Sequence, residues 1–366
     1  YAYDDNARLI AAQNADAEIT LERDALGRVI AEVMNGQRIE SDFDCCGRRV
    51  ERRIGDQTLR MRYDGMGGLL EWQLDDHAPL SFIRDEMGQE RRRASPLGFS
   101  LESDWDAVGQ LTRQKGPGIQ RDYDWTRAYE PLTITDARWG EKRYDYDQNG
   151  QITRTQYGDG GAERFAYSPD LNIAATGADT ERFLNWQTSA AGVVRIAHGP
   201  RGEVVTLEHD ACGRVIRRTV TRKGFRPQTW VFEWNAQDQL VAADGPQGRW
   251  RYGYDPFGRR IFKESGGRRE VFLWDGDVLA RSGDIDWFHE PDSFRPMARR
   301  QAGALFHIVN DHLGTPKEMF SEGGALAWSV DHDTWGTVRH VGSRPVERGD
   351  YWVETVPMIW ARPDLR

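Results

Sequence analysis

The chain has 366 residues, more than one ordinary hydrophobic core supports, so two domains or a repeat architecture are expected. Aromatic residues make up 11% of the sequence, too large a share for a disordered chain, and the 38 glycines indicate many turns. The 49 basic and 58 acidic residues are mixed along the chain without a basic stripe, which argues against nucleic acid as a partner.

The ends of the sequence and its cysteines indicate a cytoplasmic origin. No apolar run reaches the roughly 18 residues of a membrane-spanning helix, and the N-terminal YAYDDNARLI lacks the features of a signal peptide. Because this segment already carries the repeat pattern described next, we expect the sequence to be an excerpt of a longer product. Cys45, Cys46 and Cys212 form no disulfide framework and are interpreted as reduced thiols.

One short pattern recurs through most of the chain. Aromatic or apolar residues alternate with small or polar ones, and an Asp follows. Two residues later comes a Gly-Arg pair, and then a β-branched residue starts the return strand, as in LERDALGRVI (21–30), LEHDACGRVI (207–216) and YGYDPFGRRI (252–261). The anchor residues mostly lie about 20 residues apart, and one interval of 42 residues indicates a degenerate copy around LNWQTSAAG. The anchors are Asp4, Asp24, Asp44, Asp64, Asp85, Asp106, Asp124, Asp147, Ser168, Asp210, Asn235, Asp255 and Asp275.

Each copy is interpreted as a β-hairpin. Tyr252 and Tyr254 share one face of a strand because alternate residues point the same way. The Asp then ends the strand as an Asx-turn, and the Gly supplies the positive φ of the loop. The sequence therefore predicts an all-β fold of tandem antiparallel hairpins. The repeat-turn glycines are Gly27, Gly47, Gly67, Gly88, Gly109, Gly150, Gly213 and Gly258.

Four copies place an Arg four residues after the Asp. We expect these pairs to bridge the turn and to mark its register, because exposed ion pairs contribute only about 0.2–1 kcal/mol. The pairs are Asp24 with Arg28, Asp44 with Arg48, Asp210 with Arg214, and Asp255 with Arg259.

The most specific motif follows the repeats. NDHLGTPKEM (310–319) precedes one last hairpin, ALAWSVDHDTWGTV (325–338), and follows WFHEPDSFRPMARR (287–300). Together with the repeats, this stretch resembles the Rhs (rearrangement hotspot) family, whose YD repeats are shared with Tc-toxin C components and teneurins. The signature residues are Asp311, His312, Leu313, Gly314, Thr315 and Pro316.

The resemblance implies a spiralling β-sheet that closes into a hollow shell, or part of one, around a C-terminal toxin. It implies a protein made in the bacterial cytoplasm and exported to competitors, often by type VI secretion. The implied partners are the toxin domain or the remaining shell of the same polypeptide, and a secretion spike protein or chaperone. Such a shell needs no active site and no cofactor.

The predicted organisation has three parts: a repeat region (1–280), a signature segment that ends the repeat sheet (281–340), and a divergent tail (341–366). The tail lacks the Asp-Pro-x-Gly-Leu motif at which many family members cut themselves. Self-cleavage is therefore not carried over, and no toxin domain is present in the sequence.

Three stretches have residue patterns that could indicate a metal-binding or catalytic site. Asp145-x-Asp147-x-Asn149 resembles the start of an EF-hand loop, but the twelfth residue is Gln156 instead of the bidentate Glu. The other two are a His-based acid–base site at the signature and a metal site at 331–333.

Both of these readings have a structural alternative that we favour. His312 is a candidate general base with Thr315 as its nucleophile, but the run is interpreted as a sharp turn in which Leu313 packs inward. In the second stretch, alternation places Asp331 and Asp333 on the face opposite His332. No catalytic, cofactor-binding or metal-binding residue is assigned.

Three other functions stay open. The first is a secreted or cell-surface carbohydrate-binding repeat module, because Tyr and Trp faces suit sugar rings. The second is a truncated orphan copy of an Rhs gene without function. The third is an enzyme whose site is assembled from distant residues.

Overall fold

The computed structural model describes residues 1–167, 173–176, 185–189, 192–198 and 202–343. These residues contain no helix, and their strands belong to two antiparallel sheets of 18 and 16 strands. The predicted all-β fold of tandem antiparallel hairpins is therefore confirmed. No helix in this part of the chain is long and apolar enough to span a bilayer.

The strands follow one another at short intervals along the whole described chain. The first sheet consists of β1 (Ala2–Tyr3), β2 (Leu9–Gln13), β3 (Glu18–Arg23), β4 (Val29–Met34), β5 (Gln37–Phe43), β6 (Arg49–Ile54), β7 (Gln57–Tyr63), β8 (Leu69–Leu74), β9 (Leu80–Arg84), β10 (Glu90–Ala94), β11 (Ser100–Trp105), β12 (Leu111–Gly116), β13 (Ile119–Trp125), β14 (Pro131–Asp136), β15 (Gly140–Tyr146), β16 (Ile152–Tyr157), β17 (Ala162–Tyr167) and β18 (Ile173–Thr176). The second consists of β19 (Asn185–Thr188), β20 (Val194–His198), β21 (Val204–His209), β22 (Val215–Thr221), β23 (Gln228–Trp234), β24 (Leu240–Gly245), β25 (Gly248–Tyr254), β26 (Arg260–Ser265), β27 (Arg268–Asp275), β28 (Val278–Ser282), β29 (Ile285–His289), β30 (Pro296–Gln301), β31 (Ala304–Asn310), β32 (Pro316–Ser321), β33 (Leu326–His332) and β34 (Val338–Ser343).

The chain divides into two compact units, each made of two separate segments. Unit 1 contains residues 1–57 and 142–284, and unit 2 contains residues 58–141 and 285–366, of which 285–343 are described. The predicted division at residues 280 and 340 stays a prediction. Residues 344–366 of the predicted tail lie outside the described residues, as does the anchor Ser168.

In unit 1, inward-facing side chains of the first segment pack against those of the second. Alternation along β3 to β6 points their apolar residues to one side, where they meet residues of β26 to β28. Burying each large side chain contributes about 1.5–3 kcal/mol. The buried members include Ile19, Met34, Ile39, Ile54, Ile261, Phe262, Leu273 and Ala280.

Unit 2 has a larger core built in the same way. Trp72 is fully buried and meets Phe288 edge-on, with 5.3 Å between ring centroids. The strands of the signature segment therefore supply one side of this core. Other members are Leu59, Leu74, Leu80, Phe82, Phe99, Leu101, Met297, Leu305, Val309 and Phe320.

The repeat turn has one geometry throughout, illustrated by the turn between β3 and β4. The backbone N–H of Asp24 donates to the carbonyl of Arg28 (3.0 Å), and that of Gly27 donates to the carbonyl of Asp24 (2.9 Å). The carboxylate oxygen Oδ1 of Asp24 accepts from the backbone N–H of Arg28 (2.9 Å). The side chain thus holds the loop from inside while the strand pairing shifts register at a β-bulge.

Two predicted anchors do not hold a turn of this type. Asp275 is the last residue of β27 and pairs directly with Val278 across a two-residue turn. Asp124 lies within β13, and the turn is held instead by Thr126, whose Oγ1 accepts from the N–H groups of Ala128 and Glu130 (both 3.2 Å). A threonine hydroxyl can replace the carboxylate because Oγ1 can also accept hydrogen bonds from the backbone N–H groups two and four residues later. The degenerate copy also has its turn, at Ser189.

The residue before the turn Asp has a role that the sequence interpretation missed. In several repeats its side chain donates to the first carbonyl of the preceding return strand, as Trp105 Nε1 does to Glu90 (2.9 Å) and Tyr254 OH to Leu240 (2.8 Å). These bonds tie neighbouring hairpins together in addition to the ladder. Other donors at this position are Arg23, Arg84, Trp125, Tyr167, Trp234, Trp274 and Asn310.

We predict that Gly258→Val lowers the free energy of unfolding by about 1–3 kcal/mol, because φ is +86° there and a β-branched residue resists this conformation. Gly65→Val is the matched control, since Gly65 also lies in a repeat turn but has no positive φ and open space around it. Denaturant titration of both variants measures the effect. Equal stability of the two would contradict the hairpin assignment at Gly258.

Candidate functional site

The signature residues form a turn of the repeat type between β31 and β32. Oδ1 of Asp311 accepts from the N–H groups of Leu313 and Thr315, each at 2.9 Å, and Gly314 has a φ of +86°. Pro316 is the first residue of β32. The local geometry is therefore the same Asp-held loop as in the repeats, and the backbone of Thr315 takes part in it.

The turn docks on the first segment of unit 2 through His312. The imidazole lies edge-on to the rings of Tyr123 and Trp125, with centroid distances of 5.4 Å to each. Leu313, predicted to pack inward, is 77% exposed. The prediction was wrong because the turn places its third residue at the tip, while the second residue points back toward β13.

Polar contacts next to the turn strengthen this docking. Nε2 of Gln114 donates to the carbonyl of Asn310 (3.0 Å), and Nδ2 of Asn310 donates to the carbonyl of Pro296 (2.8 Å). Asn310 is buried, so these bonds replace lost contacts with water. They join β12 to β31 and β31 to β30.

A buried arginine lies beneath the signature. Arg121 is 2% exposed, and its guanidinium contacts the carboxylates of Asp136 (2.8 Å) and Glu318 and the amide oxygen of Gln114 (3.0 Å). Burial alone would lower the pKa of Arg121, but these carboxylates keep it raised, so the side chain stays charged. One cation therefore links β13, β14 and β32.

The two aspartates considered as metal ligands, Asp331 and Asp333, instead form ion pairs and hold a turn. Asp331 is buried and contacts Nζ of Lys317 (3.3 Å) and the guanidinium of Arg339 (3.2 Å). Asp333 holds the turn between β33 and β34, where its Oδ1 accepts from the N–H of Thr337 (2.7 Å). The described residues contain no group of three or more potential ligands placed to hold a metal ion.

The stretch that resembles an EF-hand is a repeat turn. Oδ1 of Asp147 accepts from the N–H groups of Asn149 (2.8 Å) and Gln151 (2.9 Å). Asp145 lies within β15, where it pairs with Arg154 of β16. Asp145 and Asp147 therefore have separate structural roles.

His307 is a buried histidine that the sequence interpretation did not single out. Its ring is inaccessible to solvent and stacks on Phe99 with a centroid distance of 4.6 Å. Burial, with smaller contributions from Arg93 and His77, lowers the pKa of His307 to about 3. The imidazole is neutral at physiological pH and serves as part of the core packing.

Unit 1 contains its own buried ion pair between segments. The two terminal guanidinium nitrogens of Arg49, Nη1 and Nη2, donate to the carboxylate of Asp275 (2.6 and 2.9 Å), and Nη1 of Arg52 adds a contact at 3.4 Å. Burial by itself would raise the pKa of Asp275, but the two arginines outweigh it and the pKa is lowered. The predicted anchor Asp275 is therefore an inter-strand ion-pair residue.

The predicted Asp–Arg pairs across the turns are all present, at distances of 2.5 to 2.6 Å. Three are partly exposed, as expected of register markers. The fourth is buried: Arg259 contacts Asp255 (2.5 Å), Glu32 (2.7 Å) and the carbonyl of Gly276 (2.6 Å). This turn therefore also connects the two segments of unit 1.

Comparisons with known proteins match these features. A family profile described as RHS protein matches residues 305–341, and one described as Teneurin YD-shell matches residues 120–275. The chain is 30% identical to the probable deoxyribonuclease RhsA of Dickeya dadantii (strain 3937) over 88% of its length. It is 25% identical to the toxin protein Tse5 of Pseudomonas aeruginosa over 98% of its length.

A solved structure shares the fold. The crystal structure of TcdB2-TccC3 without its hypervariable C-terminal region superposes with a TM-score of 0.62 and 12% identity, covering 93% of this chain and 21% of that one. The chain covers 25% of RhsA and 34% of Tse5. Hairpin repeat, turn and signature together define a YD-repeat β-sheet protein. The chain belongs to the Rhs family.

We predict that His312→Ala lowers the free energy of unfolding by about 1–3 kcal/mol, because two ring contacts of about 0.5–1.5 kcal/mol each are lost. Leu313→Ala is the matched control, and its effect should stay within about 0.5 kcal/mol because that side chain is exposed. Chemical denaturation of the chain compares the two. A larger effect at Leu313 would contradict the docking of the signature turn.

We predict that Asp275→Asn destabilises the protein by about 3 kcal/mol at pH 7, because it leaves buried Arg52 without its carboxylate. A lowered pKa means that this stabilisation is present above the ordinary value of 3.8 and is lost as the pH falls below it. The difference in free energy of unfolding between the variant and the unsubstituted protein should therefore be smaller at pH 3 than at pH 7. Glu233→Gln, in an exposed pair with Arg249, should cost at most about 1 kcal/mol at either pH.

Proposed function

We propose that the chain is a non-catalytic wall segment of an Rhs polymorphic toxin, which encapsulates a C-terminal toxin and delivers it in interbacterial competition. The observation that carries this proposal is the run of antiparallel hairpins, in which several are also tied to their neighbours by a side-chain donor. The likeness to Tse5 and RhsA over most of the chain supports it. On this proposal the protein is made in the cytoplasm and exported.

The use of the charged residues supports a structural role. Asp311 and Asp333 hold turns, Asp331 and Asp275 form ion pairs, and His307 is neutral in the core. A general acid or base needs a pKa near the working pH and access to a substrate. We therefore infer that catalysis belongs to a separate toxin domain.

The proposed partners follow from the same role. The first is the toxin domain together with the remaining shell of the same polypeptide, and the others are a secretion spike protein and a chaperone. The carbohydrate-binding alternative uses the repeat aromatics as a sugar platform. In the described strands, Trp105, Trp234 and Tyr254 instead direct their donors to backbone carbonyls of the sheet.

Limited proteolysis of the complete gene product tests encapsulation. We expect the C-terminal region to resist protease while the shell is folded, and to be digested when Asp275→Asn and His312→Ala are combined to loosen both units. The same region expressed alone should be digested from the start. Equal digestion in the folded shell and alone would refute encapsulation, and specific glycan binding would favour the alternative.

A further inference from the structure

One hairpin loop of unit 1 is longer than the next turn on the same edge of the sheet. β22 ends at Thr221 and β23 begins at Gln228, so six residues, 222–227, form the connection. The turn between β24 and β25 has only two residues, and β-hairpin loops usually have two to five. The longer loop therefore projects beyond the sheet edge, and residues 221–228 are all exposed.

This loop has a defined conformation and open space around it. The backbone N–H of Phe225 donates to the carbonyl of Arg222 (3.0 Å), and Gly224 has a φ of +83°. A Cβ added to Gly224 would meet no heavy atom within 4 Å. The loop is therefore preformed while its outer side faces solvent.

The loop carries three cations, Arg222, Lys223 and Arg226, and no acidic residue. From position 211 to 232 the sequence has six basic residues and no Asp or Glu, although the formal net charge of the chain is -9. Within the described part of the chain, none of the three cations pairs with a carboxylate, whereas exposed Arg249 pairs with Glu233. Positive charge is therefore concentrated at this loop without local compensation.

An exposed aromatic ring lies among these cations. Phe225 is 65% exposed, and the guanidinium of Arg222 lies over its ring, 4.9 Å from the centroid. This cation–π contact holds the ring beside the charge. The apolar surface of Phe225 that remains exposed gains free energy when it leaves water. The loop thus presents an apolar group and positive charge to the same partner.

The small size of the loop decides which kind of anionic partner it fits. A specific protein interface buries about 800 Å² on each partner, and nucleic-acid binding uses a wider basic stripe. A six-residue loop supplies neither. A lipid bilayer needs no matching shape, because its anionic head groups attract basic residues and its interface takes up a protruding apolar side chain.

The acidic residues elsewhere in the chain do not prevent such a contact. The Debye length is about 8 Å at physiological ionic strength, so exposed charges farther away than this are largely screened. The neighbouring turn on the same edge, residues 246–247, contains Pro and Gln and adds no charge. The loop therefore meets a membrane surface with its own local charge.

We propose that residues 222–227, which we call the basic loop, bind the surface of an anionic phospholipid membrane. Phe225 enters the head-group region, and the three cations contact lipid phosphates. The contact is peripheral and involves no membrane-spanning segment. It is separate from encapsulation of a toxin, so either proposal can fail without the other.

Sedimentation with vesicles tests the binding. The chain should sediment with vesicles of phosphatidylglycerol and phosphatidylcholine in equal parts, far less with phosphatidylcholine alone, and less as sodium chloride is added. Arg222→Ser, Lys223→Ser and Arg226→Ser combined should lower the association constant roughly a hundredfold, because each cation contributes about fivefold. Phe225→Ala should lower it about tenfold, and Phe225→Trp should preserve it.

A matched control removes the same charge elsewhere. Arg62, Arg113 and Arg249 are exposed and lie on strands of the two sheets. Replacing all three by serine should change the association constant by less than about twofold, because these positions are screened from the membrane. Thermal denaturation of every variant should show that the chain is still folded.

Trypsin locates the contact in the complete gene product. It should cut after Arg222 and Lys223, because exposed loops are the preferred sites of proteolysis, whereas the bond after Arg226 precedes Pro227 and resists cleavage. Phosphatidylglycerol vesicles should suppress both cuts, and phosphatidylcholine vesicles should not. Mass spectrometry of the fragments identifies each cut.

Four outcomes would overturn the proposal. The first is equal sedimentation of the unsubstituted chain and the triple loop variant, and the second is an equal loss in the control variant, which would assign binding to net charge. The third is the absence of both cuts without vesicles, which would mean that another part of the gene product covers the loop. The fourth is binding of the loop to polyglutamate or duplex DNA without binding to anionic vesicles, which would assign it to a different class of partner.

Discussion

The fold depends on a side-chain acceptor at the end of one strand of each hairpin. Asp24 and its counterparts bind the backbone N–H four residues later, which closes the loop and sets the bulge in the following pairing. A one-residue slip would turn every inward side chain toward solvent. The turn recurs about every 20 residues and therefore fixes the register of a long run of strands. The local propensity of these strands alone would not fix their register.

Between facing segments, the cores are joined by buried charges as well as apolar packing. Asp275 with Arg49 in unit 1 and Arg121 with Glu318 in unit 2 each connect residues about 200 positions apart. Buried ion pairs add little net stability, but a mismatched partner leaves an uncompensated charge. Their effect is therefore selective: one alignment of the two segments satisfies the charges, and a shifted alignment does not.

A wall segment of a shell has to be continuous and rigid, and the details agree with that requirement. The turn aspartates, the donors before them and the signature turn are all engaged in holding strands together. The family signature has a structural explanation in the same terms: His312 fills the space beside Tyr123 and Trp125, and Asn310 connects three strands.

The sequence by itself determined the hairpin repeat, its turns and the pairing of Asp24 with Arg28, because these depend on residues within a few positions of one another. It did not reveal that Thr126 replaces an aspartate, since a hydroxyl at a turn leaves no distinctive spacing. Arg121 shares the inward parity of Ile119 and Tyr123 in β13, a signal that a search for buried charges could have used. Only the tertiary structure decided that Glu318 is the partner of Arg121, that His312 points inward and that Leu313 is exposed. These features depend on which distant strands face each other.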